Sequence, residues 1–201
     1  MDQPTWLVRL PESEHPLIER LFISRGISDP ELFCSPNYAR DSHDPFLFDD
    51  MERAVKRIIC AWKDHERIVV YGDYDVDGIS SAAILYDFFS LMGMNVGIAI
   101  NHREKEGYGL YHPTIERLAD EGTNVIVTTD SGISNYKEIA TARARGIDVI
   151  ITDHHTVPKD PDHMPPAYAI IHPLVNASRY PFKELSGGGV AFKPLQALLR
   201  Y

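Results

Sequence analysis

Cysteine is scarce in this chain. Two residues in 201, Cys34 and Cys60, cannot build a disulfide framework, and they match no metal-binding spacing. They read as two buried thiols of a protein kept in a reducing, cytoplasmic compartment. Long apolar runs are missing too: none approaches the ~20 residues of a membrane span. The opening residues, MDQPTWLVRLPESEH, carry no secretory pattern, so no membrane partner is expected. Repeats and low-complexity segments are absent. Basic charge is short as well, with 20 Lys and Arg against 29 Asp and Glu, a net charge of −9. That balance argues at first against a polyanionic partner. The objection weakens if the acid is gathered at a metal site, because two divalent ions would bring −9 to −5 and invert the sign where a phosphate must sit.

What is present suits one sizeable domain with a short appendage. Residues 1–47 are studded with proline and at best locally helical, and the main domain is expected over 48–201. From about Asp49 to His65 the spacing of Met51, Ala54, Val55, Ile58, Ile59 and Trp62 predicts an amphipathic helix. From Arg67 onward short apolar runs alternate with helical stretches. The runs are RIVVYGDYDVDG, NVGIAINHR, NVIVTTDSG, DVIITDHH and AYAIIHP, and helices are expected at 79–93, 112–121 and 134–145. This is the pattern of an α/β fold: a parallel sheet of five or more strands with helices on both faces, preceded by the short N-terminal helical segment. The C-terminal strand ends of such a sheet share one edge, where α/β proteins place their ligands. The runs end, in turn, in Asp73, Asp75 and Asp77; in His102 and Arg103; in Asp130; in Asp153, His154 and His155; and in His172. Five strands thus deliver carboxylates, imidazoles and a guanidinium to one edge.

The triplet Asp73, Asp75, Asp77 begins like a calcium-binding EF-hand loop, but the twelfth position, which must be Glu, is Ile84. SGGGVAFK (186–193) lacks the Gly-Lys-Ser/Thr ending of a P-loop, and no G-x-G-x-x-G follows the first strand. No Ser or Cys occupies a G-x-S-x-G elbow. A mixed carboxylate–histidine cluster remains, and it suits Mn²⁺ or Mg²⁺ better than zinc. Two ions bridged by a carboxylate activate a water and clamp the attacking and leaving oxygens of a phosphoester; Asp130, alone at its strand end, is the natural bridge. Consecutive glycines opening a helix also leave N–H groups free to cradle an anion, which points Ser186, Gly187, Gly188 and Gly189 toward a phosphate; the alternative is a tight turn that merely needs positive φ.

YGDYDVDG, TTDSG and TDHH resemble the first three motifs of the DHH phosphoesterase superfamily. Within it, HREKEGYGL (102–110), DPFLFDDMERAVKRI (44–58) and YPFKELSGGGVAFK (180–193) are similar to the RecJ family of single-strand-specific 5′→3′ DNA exonucleases. The resemblance runs over nearly the whole chain. It implies two-metal hydrolysis of single-stranded DNA in recombination and repair, with two Mn²⁺ ions or with Mg²⁺. Asp75 and Asp77 would each ligate one ion, Asp130 would bridge them and His154 would add a ligand. His155 would face the phosphate or the leaving oxygen, Asp73 and Asp153 would hold the ligands in place, and Arg103 would grip a DNA phosphate. The competing fate for Arg103 is an ion pair with Glu104 or Glu106. A single-strand-binding protein or a helicase is the kind of protein partner implied. The family pattern also places a fourth-motif aspartate beyond the helix that begins near Gly189, so the chain reads as truncated before it. The other readings are a phosphodiesterase of short oligonucleotides or cyclic dinucleotides, and an inactive RecJ-like binding scaffold. His172-Pro173 stands where the family commonly has Asn-Pro, and His172 is expected to cap its strand.

Overall fold

The computed structural model describes residues 16–175 and 178–201; residues 1–15 of the N-terminal segment lie outside the described part. The chain divides into two compact units between Ser42 and His43. The first contains three short helices, α1 (Leu17–Ser24), α2 (Pro30–Cys34) and α3 (Tyr38–Asp41). Polar residues start two of them. The Leu32 N–H donates to Asp29 at 2.8 Å and the Arg40 N–H to Asn37 at 3.1 Å, satisfying amides that a helix start leaves unpaired.

The second unit carries the sheet. Helix α4 (Met51–Lys63) leads into β1 (Ile68–Gly72), α5 (Val76–Leu91), β2 (Val96–Ile100), α6 (His112–Asp120) and β3 (Val125–Thr129). Then follow α7 (Tyr136–Ala144), β4 (Asp148–Thr152), β5 (Ala169–Ile171) and α8 (Gly187–Leu198). The five strands are parallel, in the order β2-β1-β3-β4-β5. Alternate side chains of each strand fill opposite cores. Ile68, Val70, Val125, Val127 and Ile150 pack with α4, α5 and α8 on one face. Val69, Tyr71, Ile126, Val149 and Ile151 pack with α6 and α7 on the other.

Register places the site. Gly72 is level with Ile100 and with Thr129, Thr129 with Thr152, and Thr152 with Ile171. The residues that leave the sheet next are therefore neighbours on one edge: Asn101, Asp73, Asp130, Asp153 and His172. The strand order also reverses at β1, since β2 and β3 lie on its two sides. The gap between the ends of β1 and β3 is thus a topological switch point, where open parallel sheets form a crevice.

Two side-chain expectations are corrected. Cys34 and Cys60 are exposed rather than buried. Cys60 lies on the outer side of α4, where its thiol donates to Asp64. Within α4 the core side is Met51, Ala54, Val55, Ile58 and Ala61, while Trp62 stays 37% exposed. The stripe ends on the small residue because the bulky indole, one position on, has turned past the contact with the sheet. No helix among the described residues is long and apolar enough to cross a membrane.

Candidate active site

Asp130 is the most constrained residue at the edge. Its backbone is left-handed (φ 56°), a conformation that only one other described non-glycine residue, His65, adopts. Asp and Asn tolerate this region better than most side chains, and the hydrogen bond from the Asp130 N–H to the Thr152 carbonyl (3.0 Å) holds it there. The turn points the carboxylate into the crevice, where it is 2% exposed. Burial, with the neighbouring Asp77 charge, pushes its carboxyl up to about 6. Its Oδ1 lies 2.9 Å from His154 Nε2, yet the two are not aligned as a hydrogen bond and Oδ1 has no hydrogen-bond partner. Two adjacent ligands of one octahedral ion with bonds near 2.1 Å sit about 3 Å apart, so this spacing fits a shared cation. Donor atoms of Asp130, His154 and His155 all lie within 4.8 Å of one another. Asp77 Oδ2 is 3.6 Å from His154 Nε2.

The two histidines are held by Asp153, which is fully buried. Its Oδ1 accepts from the His154 N–H (2.7 Å), the His155 N–H (3.1 Å) and His155 Nδ1 (2.8 Å), and its Oδ2 from the Ile133 N–H (3.0 Å). Burial opposes its charge, but these donors hold the Asp153 carboxyl below its usual range. The same contact raises His155 above the ordinary imidazole range. With the Nδ1 proton fixed on Asp153, Nε2 is the nitrogen of His155 left to exchange a proton. His172 supports the loop from behind. Its Nδ1 accepts from the Leu174 N–H at 3.1 Å, so its Nε2 carries the proton that donates to the His155 carbonyl at 2.9 Å. Burial lowers this imidazole and keeps it neutral.

The aspartate triplet splits into different tasks. Asp73 is 3% exposed with Oδ1 unpartnered, and burial raises its carboxyl. Asp75 caps α5 by accepting the Gly78 N–H at 2.9 Å and is itself exposed. Asp77, in the first turn of α5, accepts from the Gly187 N–H at 2.7 Å and the Gly188 N–H at 2.9 Å. Ser186 caps α8 through the Gly189 N–H (3.2 Å). The amides that the sequence reading leaves open for an anion are thus taken, two of them by Asp77. Asp75 stands outside the tight Asp130–His154–His155 group, though its charge also raises Asp130.

Tyr108 and Asn101 were not legible as site residues. Asn101 is buried, accepts from the Tyr71 hydroxyl at 2.5 Å, and donates to the Gly107 and Gly109 carbonyls, which closes the 102–110 loop. Gly107 and Gly109 both have positive φ, so only glycine makes this turn without strain. The turn sets the Tyr108 oxygen 2.9 Å from His155 Nδ1 and 3.3 Å from the Asp130 carbonyl. The signal available was the G-Y-G spacing; what it positions depends on the register of β2. Arg103 forms no ion pair with Glu104 or Glu106; its guanidinium lies 5.5 Å from the centre of the Tyr74 ring. Beside His154 a cavity of about 350 Å³ opens between Leu174, Lys183, Glu184, Leu185 and Ser186.

The class defined here is a parallel α/β domain whose switch point brings together Asp130, His154 and His155, a group of donors able to hold a metal ion. A model of the DHH family, N-terminal domain, matches residues 67–201, and the chain belongs to that family. It is 39% identical over 187 residues to the single-stranded-DNA-specific exonuclease RecJ of Bacillus subtilis, covering 92% of this chain and 23% of the relative. It is 37% identical over 191 residues to RecJ of Escherichia coli, covering 94% and 32%. A crystal structure of exonuclease RecJ bound to manganese superposes with a TM-score of 0.69 at 33% identity, over 76% of this chain and 38% of that one. RecJ of Thermus thermophilus in complex with Mn²⁺ gives 0.66 at 28% identity, over 89% and 24%. The chain spans between 20% and 33% of the length of the curated relatives it matches.

Proposed function

We propose that this domain hydrolyses phosphodiester bonds of single-stranded DNA, 5′→3′, as the metal-binding part of a RecJ-type exonuclease working in recombination and repair. The observation that carries the reading is the buried, unpartnered Asp130 Oδ1 set 2.9 Å from His154 Nε2 at the switch point. A buried carboxylate oxygen without a hydrogen bond is costly, and a divalent ion removes the cost. The relatives' structures hold Mn²⁺, an ion that suits this oxygen-and-imidazole donor set.

Asp130 and His154 would hold such an ion, with Asp77 beside them and Asp75 completing the second position. Bound divalent ions supply Lewis-acid activation of a water and charge neutralisation at the phosphate. His155, its Nδ1 committed to Asp153, gives a proton from Nε2 to the departing oxygen. Arg103 reaches a backbone phosphate. Asp73 and Asp153 keep the ligand-bearing turns in shape. The cavity beside His154 receives the terminal nucleotide, and Ser186 at its rim borders it. Free thiols at Cys34 and Cys60 fit a reducing cytoplasm.

The test is digestion of single-stranded DNA carrying a 5′ or a 3′ label, with added Mn²⁺, by the protein carrying this sequence at full length. Mononucleotides released from the 5′ end, and none from the Asp130→Asn variant, are expected. Cleavage confined to di- and trinucleotides or cyclic dinucleotides would assign the site to the smaller substrates. Mn²⁺ binding without any cleavage would mark a scaffold.

A further inference from the structure

Helix α8 opens on Ser186-Gly187-Gly188-Gly189 and meets the crevice head-on. Both oxygens of Asp77 are engaged there, Oδ2 by the Gly187 N–H and Oδ1 by the Gly188 N–H. Gly187 also stands against the neighbouring acid, since a Cβ on it would lie 2.7 Å from Asp130 Oδ1 and 2.8 Å from Asp130 Cγ. The absent side chain is what lets the helix end approach both carboxylates. Each carboxylate oxygen has two lone pairs and the amides use one apiece, so Asp77 keeps an open lone pair on each oxygen. Two donors from successive residues fix the plane of the carboxylate. The positive end of α8 offsets the repulsion between Asp77 and Asp130, which share His154 as a neighbour.

We infer that Gly187 and Gly188 are positioning residues for metal binding: their amides aim the Asp77 carboxylate at the ion instead of gripping a DNA phosphate. The two uses compete, because an N–H that shares its proton between two acceptors makes a weaker bond to each. The inference rests on the reading of Asp77 as a metal ligand.

The decisive variant is Gly188→Pro, which removes the N–H in the first helical turn, where proline is tolerated. Gly188→Ala is the reference, since it keeps the N–H and its Cβ has only ordinary contacts, the nearest being Asp77 Oδ1 at 3.7 Å. Mn²⁺ affinity is measured by calorimetry, and binding of a fluorescent single-stranded oligonucleotide by anisotropy in EDTA. Gly188→Pro should weaken Mn²⁺ at least tenfold relative to Gly188→Ala and leave metal-free DNA affinity the same. Weakened DNA binding with unchanged Mn²⁺ affinity would return the amides to the phosphate and overturn the inference, as would no change in either. If Gly188→Pro does not fold, amide hydrogen exchange in the unaltered protein decides. Gly187 and Gly188 should be protected at least tenfold in EDTA, and Asp77→Ala should abolish that protection. Unprotected amides in the unaltered protein overturn the inference. Failure of the unaltered protein to bind Mn²⁺ would remove the underlying metal reading as well, and is visible separately in the same calorimetry.

Discussion

Asp130 and Asp153 are both buried aspartates at strand ends, and their surroundings drive them in opposite directions. Burial, with the like charge of Asp77 nearby and no donor on Oδ1 to offset it, raises the Asp130 carboxyl to about 6. A carboxyl whose folded pKa is raised above ~3.9 contributes stability below that pH and loses it as the pH climbs through the folded value. In EDTA at pH 7, Asp130→Asn should therefore be more stable than the unaltered protein, by on the order of 2 kcal/mol, and the gain should vanish near pH 4. Urea denaturation at the two pH values measures it; a variant less stable at pH 7 would contradict the burial of an unpaired charge. Asp153 is the reverse case. Its four donors hold the carboxyl low, so its contribution is present above ~pH 4 and is lost as the pH falls through its folded value. Asp153→Ala leaves buried N–H groups without acceptors and should cost about 3 kcal/mol at pH 7, with or without metal, in the same assay.

At the scale of the element, turns of one or two residues carry the chemistry, and glycine sets how closely they approach. Gly78 sits in the first turn of α5, where a Cβ would lie 2.6 Å from the Asp73 carbonyl oxygen. Backbone cannot yield there as a flexible side chain could. Gly78→Ala should shift the Asp73–Asp77 turn and destabilise the domain by roughly 2 kcal/mol, read as a lower urea midpoint with an unchanged slope. The elements themselves were legible: parallel strands and their covering helices announce themselves through continuous β-branched runs and amphipathic spacing. The convergence of Asp73, Asp130 and Asp153 was legible too, because each directly follows its run. The partition of roles was not. That Asp77 faces the amides of α8, 110 residues later, depends on how that helix packs along α5, and no local pattern encodes it. Nor does spacing reveal that Tyr108 reaches His155 across the crevice. That contact needs the parallel pairing of β1 with β2 and the buried Asn101 that folds the loop back.

Across the whole molecule, the acid excess is concentrated at the site. Asp73, Asp75, Asp77, Asp130 and Asp153 crowd one sheet edge, and five carboxylates exceed half of the net −9. Without a cation this edge is a source of repulsion that the rest of the fold must overcome, with two unpartnered buried oxygens as its local cost. A ligand that binds only the folded state stabilises it in proportion to the logarithm of its concentration above Kd. Mn²⁺ at a hundred times its Kd should therefore add about 2.7 kcal/mol per site, and EDTA should remove it. The increment should survive 0.5 M NaCl largely intact, because coordination at a buried site is screened far less than a diffuse surface charge. Asp130→Asn separates the two origins of the effect: it already lacks the repulsion, so it should start more stable in EDTA and gain little from Mn²⁺. Thermal denaturation of the two proteins, with and without Mn²⁺, gives the four values required. If Asp130→Asn gains as much from Mn²⁺ as the unaltered protein does, the ion is held elsewhere on the acidic surface and the switch-point crevice is not its site.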